Sequence, residues 1–302
     1  MLNNDVNKAD WELIDMKTAV VTGTSSGIGL ETSLMLARQG FKVFAAMRSV
    51  DRGAELVDRA AQESLDILVI EMDVSSAESV TAAFSAVLNH GPIDLLVNNA
   101  GISGSAPLEI TPEDEHKAIF ETNYFGVVRC IQAVVASMRE RGAGCIVNVS
   151  SAAGLFATPT QIPYSASKWA VECLTEALAF ELKPFGIRVV CIEPGVVQTS
   201  IFQNSAKMSH FDKLSPYSPA MRRIGKLFAA GLKHPSSAEQ VAATIIEAVT
   251  TTTPKLRWPV GNDAQSFYDV KVLGHVDEWI NGATYEDEAY FALFNRLYGI
   301  QL

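Results

Sequence analysis

The amino-acid sequence predicts an α/β protein built on a doubly wound parallel sheet, and two observations support this prediction. Short apolar runs alternate along the chain with longer segments of helical periodicity, as in consecutive β–α units. A glycine-rich turn at residues 22–29 separates the first apolar run from the first helical segment, where such sheets bind ligands. No internal repeat, linker or low-complexity tract interrupts the chain. We therefore expect a single domain.

Each predicted strand is a short apolar run bounded by turn-forming residues, and each predicted helix repeats apolar residues every three or four positions. The strands are expected at 18–22, 42–46, 67–71, 94–98, 144–149, 187–192 and 255–258. The helices are expected at 27–39, 52–62, 76–89, 112–141, 163–183 and 237–250. Two further helices, rich in aromatic residues, are expected within 262–302.

Composition narrows the possible functions. The chain has 302 residues, of which 48% are hydrophobic and 19% charged, so it can bury a large core. A net charge of −10 argues against nucleic acid as a partner, because phosphate binding needs a basic surface. Scattered histidines indicate no metal site. No signal sequence and no uncharged apolar stretch of membrane-spanning length is found, so a cytoplasmic protein is expected.

The four cysteines show no C-x-x-C spacing. We interpret them as buried thiols of a reducing compartment rather than disulfides or metal ligands: Cys130, Cys145, Cys173 and Cys191.

The turn at residues 22–29 reads T-G-T-S-S-G-I-G and follows the apolar run Ala19-Val20-Val21 directly. Glycines there allow a tight turn and close approach of the backbone, and the free N–H groups of the following helix favour an anion. The turn is thus predicted to cradle a diphosphate, the alternative being an ordinary glycine-rich turn. The residues assigned to this cradle are Gly23, Ser25, Ser26, Gly27, Ile28 and Gly29.

Two more motifs carry potential chemistry. Asn98-Asn99-Ala100-Gly101 follows another apolar strand, and its amides could tie neighbouring strands and line a cofactor pocket, or simply form a turn. Tyr164 and Lys168 are spaced to lie on one helix face, where the ammonium would favour the phenolate and lower the tyrosine pKa. Such a pair can transfer a proton near neutral pH.

In this order T-G-x-x-x-G-x-G, N-N-A-G, Y-x-x-x-K and Pro194-Gly195 resemble the short-chain dehydrogenase/reductase family, in its short-form branch, over roughly residues 17–260. The resemblance implies a Rossmann-type sheet of order 3-2-1-4-5-6-7 and a single domain with a variable substrate lid. A looser similarity, in the second strand, the lid and residues 256–261, is to the steroid and retinol dehydrogenase-like group.

The resemblance also implies a catalytic tetrad of Asn123, Ser151, Tyr164 and Lys168 and hydride transfer to or from a nicotinamide. Ser151 would hold the substrate oxygen while Tyr164 gives or takes its proton. Lys168 would lower the Tyr164 pKa and bind the nicotinamide ribose. Asn123 would lie at a break in the helix expected at 112–141 and hold a water that relays protons to Lys168.

Cofactor choice depends on the end of the second predicted strand, where Met47 and Arg48 replace the acid typical of NAD enzymes. An arginine suits a 2′-phosphate, so NADP(H) is predicted over NAD(H); the alternative is a surface arginine paired with Asp51. Asp73 would contact the adenine, or else serve as a helix N-terminal acid. The other cofactor-binding residues implied are Val74, Asn99, Ala100, Gly101, Tyr164, Lys168, Pro194, Gly195, Val197 and Thr199.

The substrate side is predicted to be apolar, for a hydrophobic alcohol, ketone or aldehyde such as a steroid, retinoid or lipid. The pocket residues expected are Ser103, Leu155, Phe156, Ile162, Val196 and Phe202. A non-catalytic dinucleotide-binding sensor is the rival interpretation, and the complete tetrad argues against it.

We divide the chain into a polar lead-in (1–16), a dinucleotide-binding and catalytic part (17–261) with a lid at about 196–235, and a helical extension (262–302). The segment 201–235 holds six Lys/Arg against one acid. It could be a solvated lid, a peripheral membrane contact or a site for an anionic substrate. The extension could cover the pocket or extend a subunit interface. The resemblance implies a homodimer or homotetramer.

Overall fold

A computed structural model describes residues 17–198, 214–273 and 285–302. Its strands form one seven-stranded sheet in the order β3-β2-β1-β4-β5-β6-β7, and every neighbouring pair is parallel. The predicted fold class and strand order are confirmed. The strands are β1 (Thr18–Thr22), β2 (Lys42–Met47), β3 (Ile67–Glu71), β4 (Leu95–Asn98), β5 (Gly144–Val149), β6 (Ile187–Pro194) and β7 (Arg257–Val260).

Helices cover both faces of this sheet. They are α1 (Gly27–Arg38), α2 (Ala54–Gln62), α3 (Ala77–Leu88), α4 (Glu113–Phe120), α5 (Gly126–Arg141), α6 (Ile162–Leu182), α7 (Ser218–Gly231), α8 (Ala238–Thr250), α9 (Asn262–Leu273) and α10 (Asp287–Tyr298). A π-helical turn, Glu121–Phe125, separates α4 from α5 and contains Asn123, where the sequence predicts a break. No helix of the described residues is long and apolar enough to cross a bilayer.

Helix α7 lies in the predicted lid and was missed by the sequence analysis. Its buried residues Ile224 and Leu227 are three apart, as on one face of a helix. Gly225 and Gly231 weaken the sequence signal, because glycine disfavours helix interiors. Pro219 is tolerated because it lies in the first turn, where its missing N–H is not needed.

Two hydrophobic cores sandwich the sheet. One packs α3, α5 and α6 against one face, with Phe84 and Val134 among its members. The other packs α1 and α8 against the opposite face, with Leu36 and Ile245. Because both faces are covered, strands such as β1 and β5 are buried along their whole length, which explains their continuous apolar runs.

A third apolar cluster lies outside the sheet and joins α7, α9 and α10 to the turn after β5. We call it the aromatic cluster, and its buried members are Ala152, Leu155, Phe156, Ile224, Leu227, Ala264, Phe267, Val270, Tyr290, Phe294 and Tyr298. It covers the sheet edge at which β5 and β6 end.

Of the cysteines, Cys130, Cys145 and Cys191 are buried free thiols, as predicted. Cys173, although also unpaired, is exposed. It follows the buried residues Val171 and Glu172 on α6, and the turn of the helix carries it out of the core.

Gly29→Ala is expected to lower the free energy of unfolding by about 1–3 kcal/mol. A Cβ there would overlap the carbonyl oxygen of Gly23 and lie 2.6 Å from Nδ2 of Asn99, and the Gly23 backbone cannot move without opening the turn. Urea unfolding measures the change. The control is Gly225→Ala, which meets only open space and should gain up to about 1 kcal/mol of helix propensity. Unchanged stability of Gly29→Ala would contradict this packing.

Candidate active site

The glycine turn and the N-N-A-G motif form one structural unit at the ends of β1 and β4. Gly23 and Gly27 have φ of 72° and 60°, in the left-handed region that favours glycine. The backbone N–H groups of Asn99 and Ala100 both donate to the Thr22 hydroxyl at 2.9 Å. Asn99 Nδ2 donates to the Thr22 carbonyl at 2.8 Å. These bonds fix the glycine turn against the neighbouring strand.

The first turn of α1 opens into a groove of about 460 Å³. Ser26, at the N-cap, makes no side-chain capping bond to this turn. The first N–H groups of a helix have no partner within the helix, so they and the helix dipole favour an anion there. The predicted cofactor-binding residues that line the groove are Gly23, Ser25, Ser26, Gly27, Ile28, Arg48, Asp73, Val74, Asn99, Ala100 and Gly101. Gly29 packs behind it, on Gly23.

Two arginines lie at this groove, Arg48 and Arg52. Within the described chain neither guanidinium forms an ion pair, and the alternative pairing of Arg48 with Asp51 is not formed. Arg52 was not predicted as a site residue. It lies on a 3-10 turn, Val50–Gly53, which brings it back toward the end of β2. The groove therefore carries two cations where β2 ends.

Asp73 combines a groove position with a local structural role. Its Oδ1 accepts hydrogen bonds from the backbone N–H and the hydroxyl of Ser75, at 2.9 and 2.7 Å. Ser76, not Asp73, caps α3 by accepting from Ser79 N–H. Ser75 thus holds the carboxylate in one orientation beside the groove.

A second cavity, of about 430 Å³, shares Ile28, Asn99 and Gly101 with the groove, so the two are continuous. The predicted residues that line it are Ser103, Ser151, Phe156, Tyr164, Lys168, Pro194, Gly195, Val196 and Val197. Thr199 and Phe202 lie outside the described residues.

Two residues expected in the substrate pocket lie elsewhere. Leu155 is buried in the aromatic cluster rather than lining the cavity. Ile162 is the first residue of α6, is 41% exposed and does not line the cavity. Because it precedes Tyr164 by two positions, about 200° of helix rotation separates the two side chains. Sequence proximity to the motif is therefore a poor guide to the pocket.

Three members of the predicted tetrad meet in the cavity. Ser151 accepts a hydrogen bond from Ala153 N–H at 3.1 Å and is hydrogen-bonded to Tyr164. Lys168 Nζ donates to the Val149 carbonyl at 2.8 Å and lies 5.9 Å from the centroid of the Tyr164 ring. Tyr164 and Lys168 are one turn apart on α6, so the helix sets their separation.

The predicted lowering of the Tyr164 pKa is wrong for the protein alone. Burial raises the pKa of Tyr164, although the hydrogen bond to Ser151 opposes it. Burial also lowers the pKa of Lys168 to about 8, against the opposing effects of Cys191 and Glu172. Desolvation, which the spacing of Tyr164 and Lys168 does not reveal, disfavours the charged forms of both groups.

Asn123, the fourth member, is fully buried and does not line the cavity. Its Oδ1 accepts from Ile102 N–H at 2.8 Å, and its Nδ2 donates to the Ile102 carbonyl at 2.9 Å and to Ser167 Oγ at 3.0 Å. A Cβ on Gly101 would lie 3.3 Å from Asn123 Oδ1 and 3.7 Å from Lys168 Nζ. The side chain therefore braces the loop after β4 directly behind the cavity.

Asp263, which the sequence analysis missed, organises the Pro194-Gly195 turn. Its Oδ2 accepts from Val196 N–H at 2.7 Å, and a Cβ on Gly195 would overlap its Oδ1. Position 195 therefore has to be glycine if Asp263 is to accept the hydrogen bond from Val196 N–H. Val196 and Asp263 are 67 positions apart in the sequence, so no local sequence pattern predicts the contact.

The cavity also contains residues from the end of the described chain. Gly299, Ile300 and Gln301 line it beside Leu227 and Phe228 of α7. Between the two roles considered for the extension, this placement favours covering the pocket.

A buried acidic cluster lies beneath the cavity. Ligand-type atoms of Glu172, Cys191 and Glu193 all lie within 4.8 Å of one another, although the sequence suggested no metal site. Arg257 Nε lies 3.1 Å from Glu172 Oε2 and 3.6 Å from Glu193 Oε1. Burial, followed by repulsion from Glu172, raises the pKa of Glu193 to about 8. A guanidinium and a proton thus already neutralise the cluster.

Comparison with known proteins agrees with this geometry. The family model of the short chain dehydrogenases matches residues 17–210. The chain is 36% identical over 255 residues to the uncharacterized oxidoreductase YusZ of Bacillus subtilis, covering 82% of this chain and 90% of that protein. It is 35% identical over 258 residues to human retinol dehydrogenase 8, covering 80% of each. It is 32% identical to 3-ketodihydrosphingosine reductase of Bacteroides thetaiotaomicron, covering 80% of this chain and 87% of that protein.

Solved structures give the same result. A short-chain dehydrogenase from Streptomyces avermitilis superposes with a TM-score of 0.78 at 32% identity, covering 90% of this chain and 98% of that one. One from Burkholderia phymatum in complex with NAD gives 0.75 at 26% identity, covering 88% and 95%. A gluconate 5-dehydrogenase from Burkholderia cenocepacia in complex with NADP and tartrate gives 0.70 at 28% identity, covering 84% and 96%. A nicotinamide dinucleotide is therefore supported as the cofactor, in either form.

Glu193→Gln is expected to become more stable relative to the wild type as the pH rises from about 5 to about 8. The folded-state pKa of Glu193 is raised from 4.5 to about 8, so its contribution is fully present below pH 4.5 and is lost as pH rises through about 8. Glutamine keeps the acceptor for Trp258 N–H without the titration. Calorimetric melting temperatures at both pH values measure the difference.

The matched control is Glu176→Gln, which removes a carboxylate that also binds Arg257 but is 67% exposed. Its stability difference from the wild type should change little between the two pH values. A constant difference for Glu193→Gln would show that Glu193 is ionised in the folded protein and contradict the assignment.

Proposed function

The chain belongs to the short chain dehydrogenase family, and on that premise we propose that it is an NADP(H)-preferring oxidoreductase of apolar substrates. It would interconvert an alcohol with a ketone or aldehyde on a steroid-, retinoid- or lipid-like molecule. One observation carries the proposal. The groove at the glycine turn runs into an apolar cavity in which Ser151, Tyr164 and Lys168 meet.

The residues present suit a dinucleotide. The first turn of α1, with Gly27 in the left-handed region, would bind the diphosphate, and Asp73 would lie at the adenine. Lys168, where the groove meets the cavity, would hold the nicotinamide ribose. When bound, the nicotinamide supplies or accepts the hydride.

Tyr164 would move the proton and Ser151 would orient the substrate oxygen. The raised pKa of Tyr164 keeps its proton in place at neutral pH, so the phenol can donate to a carbonyl oxygen in reduction. Ser151, already hydrogen-bonded to Tyr164, can donate to the same oxygen. A bound apolar substrate would displace water from this site and so strengthen both interactions.

Preference for NADP(H) is argued from charge. Arg48 and Arg52 lie at the groove, and the end of β2 carries Met47 rather than an acid. Guanidinium groups bind phosphate through charge-assisted hydrogen bonds, whereas an acid there would repel it. NAD(H) remains the alternative, since one structural neighbour was crystallised with NAD and another with NADP.

The substrate class is argued from the cavity walls. Phe156, Leu227, Phe228, Phe267 and Ile300 line it. Its volume of about 430 Å³ is in the range of small-molecule sites. Two relatives have retinol or 3-ketodihydrosphingosine in their names, both molecules with a long hydrocarbon part, which agrees with this choice.

Tyr164→Phe is expected to reduce NADPH-dependent carbonyl reduction by at least about 100-fold, because the variant has no proton to donate. Cofactor affinity, measured by fluorescence titration, should change little. The assay panel runs from small polar carbonyls to steroids and retinal. Tyr268→Phe is the control, because Tyr268 packs against the aromatic cluster and does not line the cavity. Retained activity of Tyr164→Phe would place the proton donor elsewhere.

Tight cofactor binding with no turnover of any carbonyl by the wild type would favour the sensor interpretation. The same panel, run with NADH beside NADPH, also tests the cofactor preference.

Arg48→Ala is expected to weaken NADPH binding about 10- to 100-fold and to leave NADH binding nearly unchanged, since only NADPH carries the 2′-phosphate. Dissociation constants for both cofactors check this. Arg38→Ala is the control, because Arg38 is paired with Glu63 and does not line the groove. Equal losses for the two cofactors would contradict the 2′-phosphate assignment.

A further inference from the structure

One wall of the substrate cavity is built from two elements that are far apart in sequence. Helix α7 contributes Leu227 and Phe228, and the segment after α10 contributes Ile300 and Gln301. Neither element belongs to the sheet, so no strand ladder sets their relative position. Their relative position depends on side-chain contacts, among them those made directly between α7 and α10.

Asp287, in the first turn of α10, binds both arginines of α7. Its Oδ2 accepts from Arg222 Nη2 at 2.6 Å, and its Oδ1 accepts from Arg223 Nε at 3.1 Å. Arg223 also donates to the Tyr285 carbonyl at 2.5 Å, just before α10. One carboxylate thus gathers two cations from successive positions of α7.

The next turn of α10 continues this contact through its aromatic rings. The Arg223 guanidinium lies 4.4 Å from the centroid of the Tyr290 ring, and Lys226 Nζ lies 4.0 Å from that of Phe291. The Arg223 side chain is only 12% exposed, so its cation–π contact is largely shielded from water.

These contacts bear on the basic character of the lid. Arg222, Arg223 and Lys226 contact the protein's own α10, so part of the basic charge of the lid is used within the chain. Lys207 and Lys213 lie outside the described residues. Lys233, which follows α7, instead lines the cavity, so the contacts to α10 account for three of the six lid cations.

Helix α10 also contacts the turn that carries Ser151. Its residues Phe294 and Tyr298 meet Phe156 edge-on, at centroid distances of 6.4 and 5.5 Å. Phe156 stacks in turn on Phe267 at 4.6 Å, and both rings line the cavity. The position of α10 therefore matters on the catalytic side of the cavity as well as at the lid.

We infer that Asp287 is a positioning residue that determines substrate specificity, by fixing α7 against α10 so that Phe228 and Ile300 form one wall of the cavity. The aromatic cluster brings the helices together, but apolar contact is non-directional and permits sliding. The hydrogen bonds from two arginines to one carboxylate set the register. The inference rests on the proposed function for the class of substrate. The contacts between α7 and α10 do not depend on that proposal.

The loss of Asp287 is expected to alter selectivity more than stability. Exposed ion pairs contribute little to folding, and Asp287 and Arg222 are 36% and 52% exposed. A bulky apolar substrate that contacts the whole wall should depend on the register. A small carbonyl that reaches only Ser151 and Tyr164 should not.

The experiment compares Asp287→Asn with Glu288→Gln. Glu288 lies on the same turn of α10, is exposed and forms no ion pair with the described residues, so it matches the change in charge. Asp287→Asn should raise KM for a bulky ketone about fivefold, which is the size of effect expected when one exposed ion pair is lost. Its kcat, its KM for a small carbonyl and its NADPH affinity should match those of the control. Equal KM changes for the bulky and small substrates would overturn the inference.

Hydrogen exchange gives a readout that does not need turnover. Amides of 218–231 should exchange faster in Asp287→Asn than in Glu288→Gln, with the sheet amides unchanged. Unchanged exchange in 218–231 would overturn the inference, as would acceleration throughout the chain, which would indicate a general role in stability. If the wild type reduces no carbonyl, the proposed function fails. Hydrogen exchange then still tests whether Asp287 fixes α7 against α10.

Arg223→Gln completes a double-mutant cycle with Asp287→Asn. The effects on KM for the bulky ketone should be less than additive, because each variant breaks the same contact. Full additivity would indicate that Asp287 and Arg223 act independently, against the inference.

Discussion

The hydrogen bonds at the ends of β1 and β4 are the interaction on which the site depends. One hydroxyl, that of Thr22, accepts from two successive backbone N–H groups, and the side-chain amide of Asn99 donates a hydrogen bond to the Thr22 carbonyl. This joint holds the glycine turn open toward the groove. It also sets the direction in which the chain leaves β4, toward Gly101 and the residues that Asn123 braces. Groove and cavity meet at this point.

Desolvation is the second constraint, and it decides the charge state of the site. Tyr164 and Lys168 are embedded in protein, so burial raises the pKa of one and lowers the pKa of the other. The acidic cluster beneath them follows the same rule, with Glu193 holding its proton up to about pH 8. A neutral phenol is the form that the proposed proton donation from Tyr164 to a carbonyl oxygen requires.

Different interactions position the two parts of the proposed site, the groove for the cofactor and the cavity for the substrate. The sheet rigidly positions the strand ends, whereas the wall made by α7 and α10 rests on aromatic packing and on the charges around Asp287. Contacts of this kind can change without disturbing the sheet cores. Under the proposed function, the wall made by α7 and α10 is therefore the part of the cavity that distinguishes one substrate from another.

The sequence by itself determined the strands, most of the helices and most residues at the strand ends, because apolar periodicity and glycine spacing are local properties. It placed Tyr164 and Lys168 one turn apart on α6, and the family resemblance placed a helix break at Asn123. Only the tertiary structure revealed α7, the reach of Asp263 to Val196, the cavity positions of Ile300 and Gln301, and the displacement of Leu155 and Ile162 from the predicted pocket. It also reversed the expected pKa shift of Tyr164. Each of these depends on burial or on contacts between distant segments. The spacing of neighbouring residues predicts neither burial nor long-range contacts.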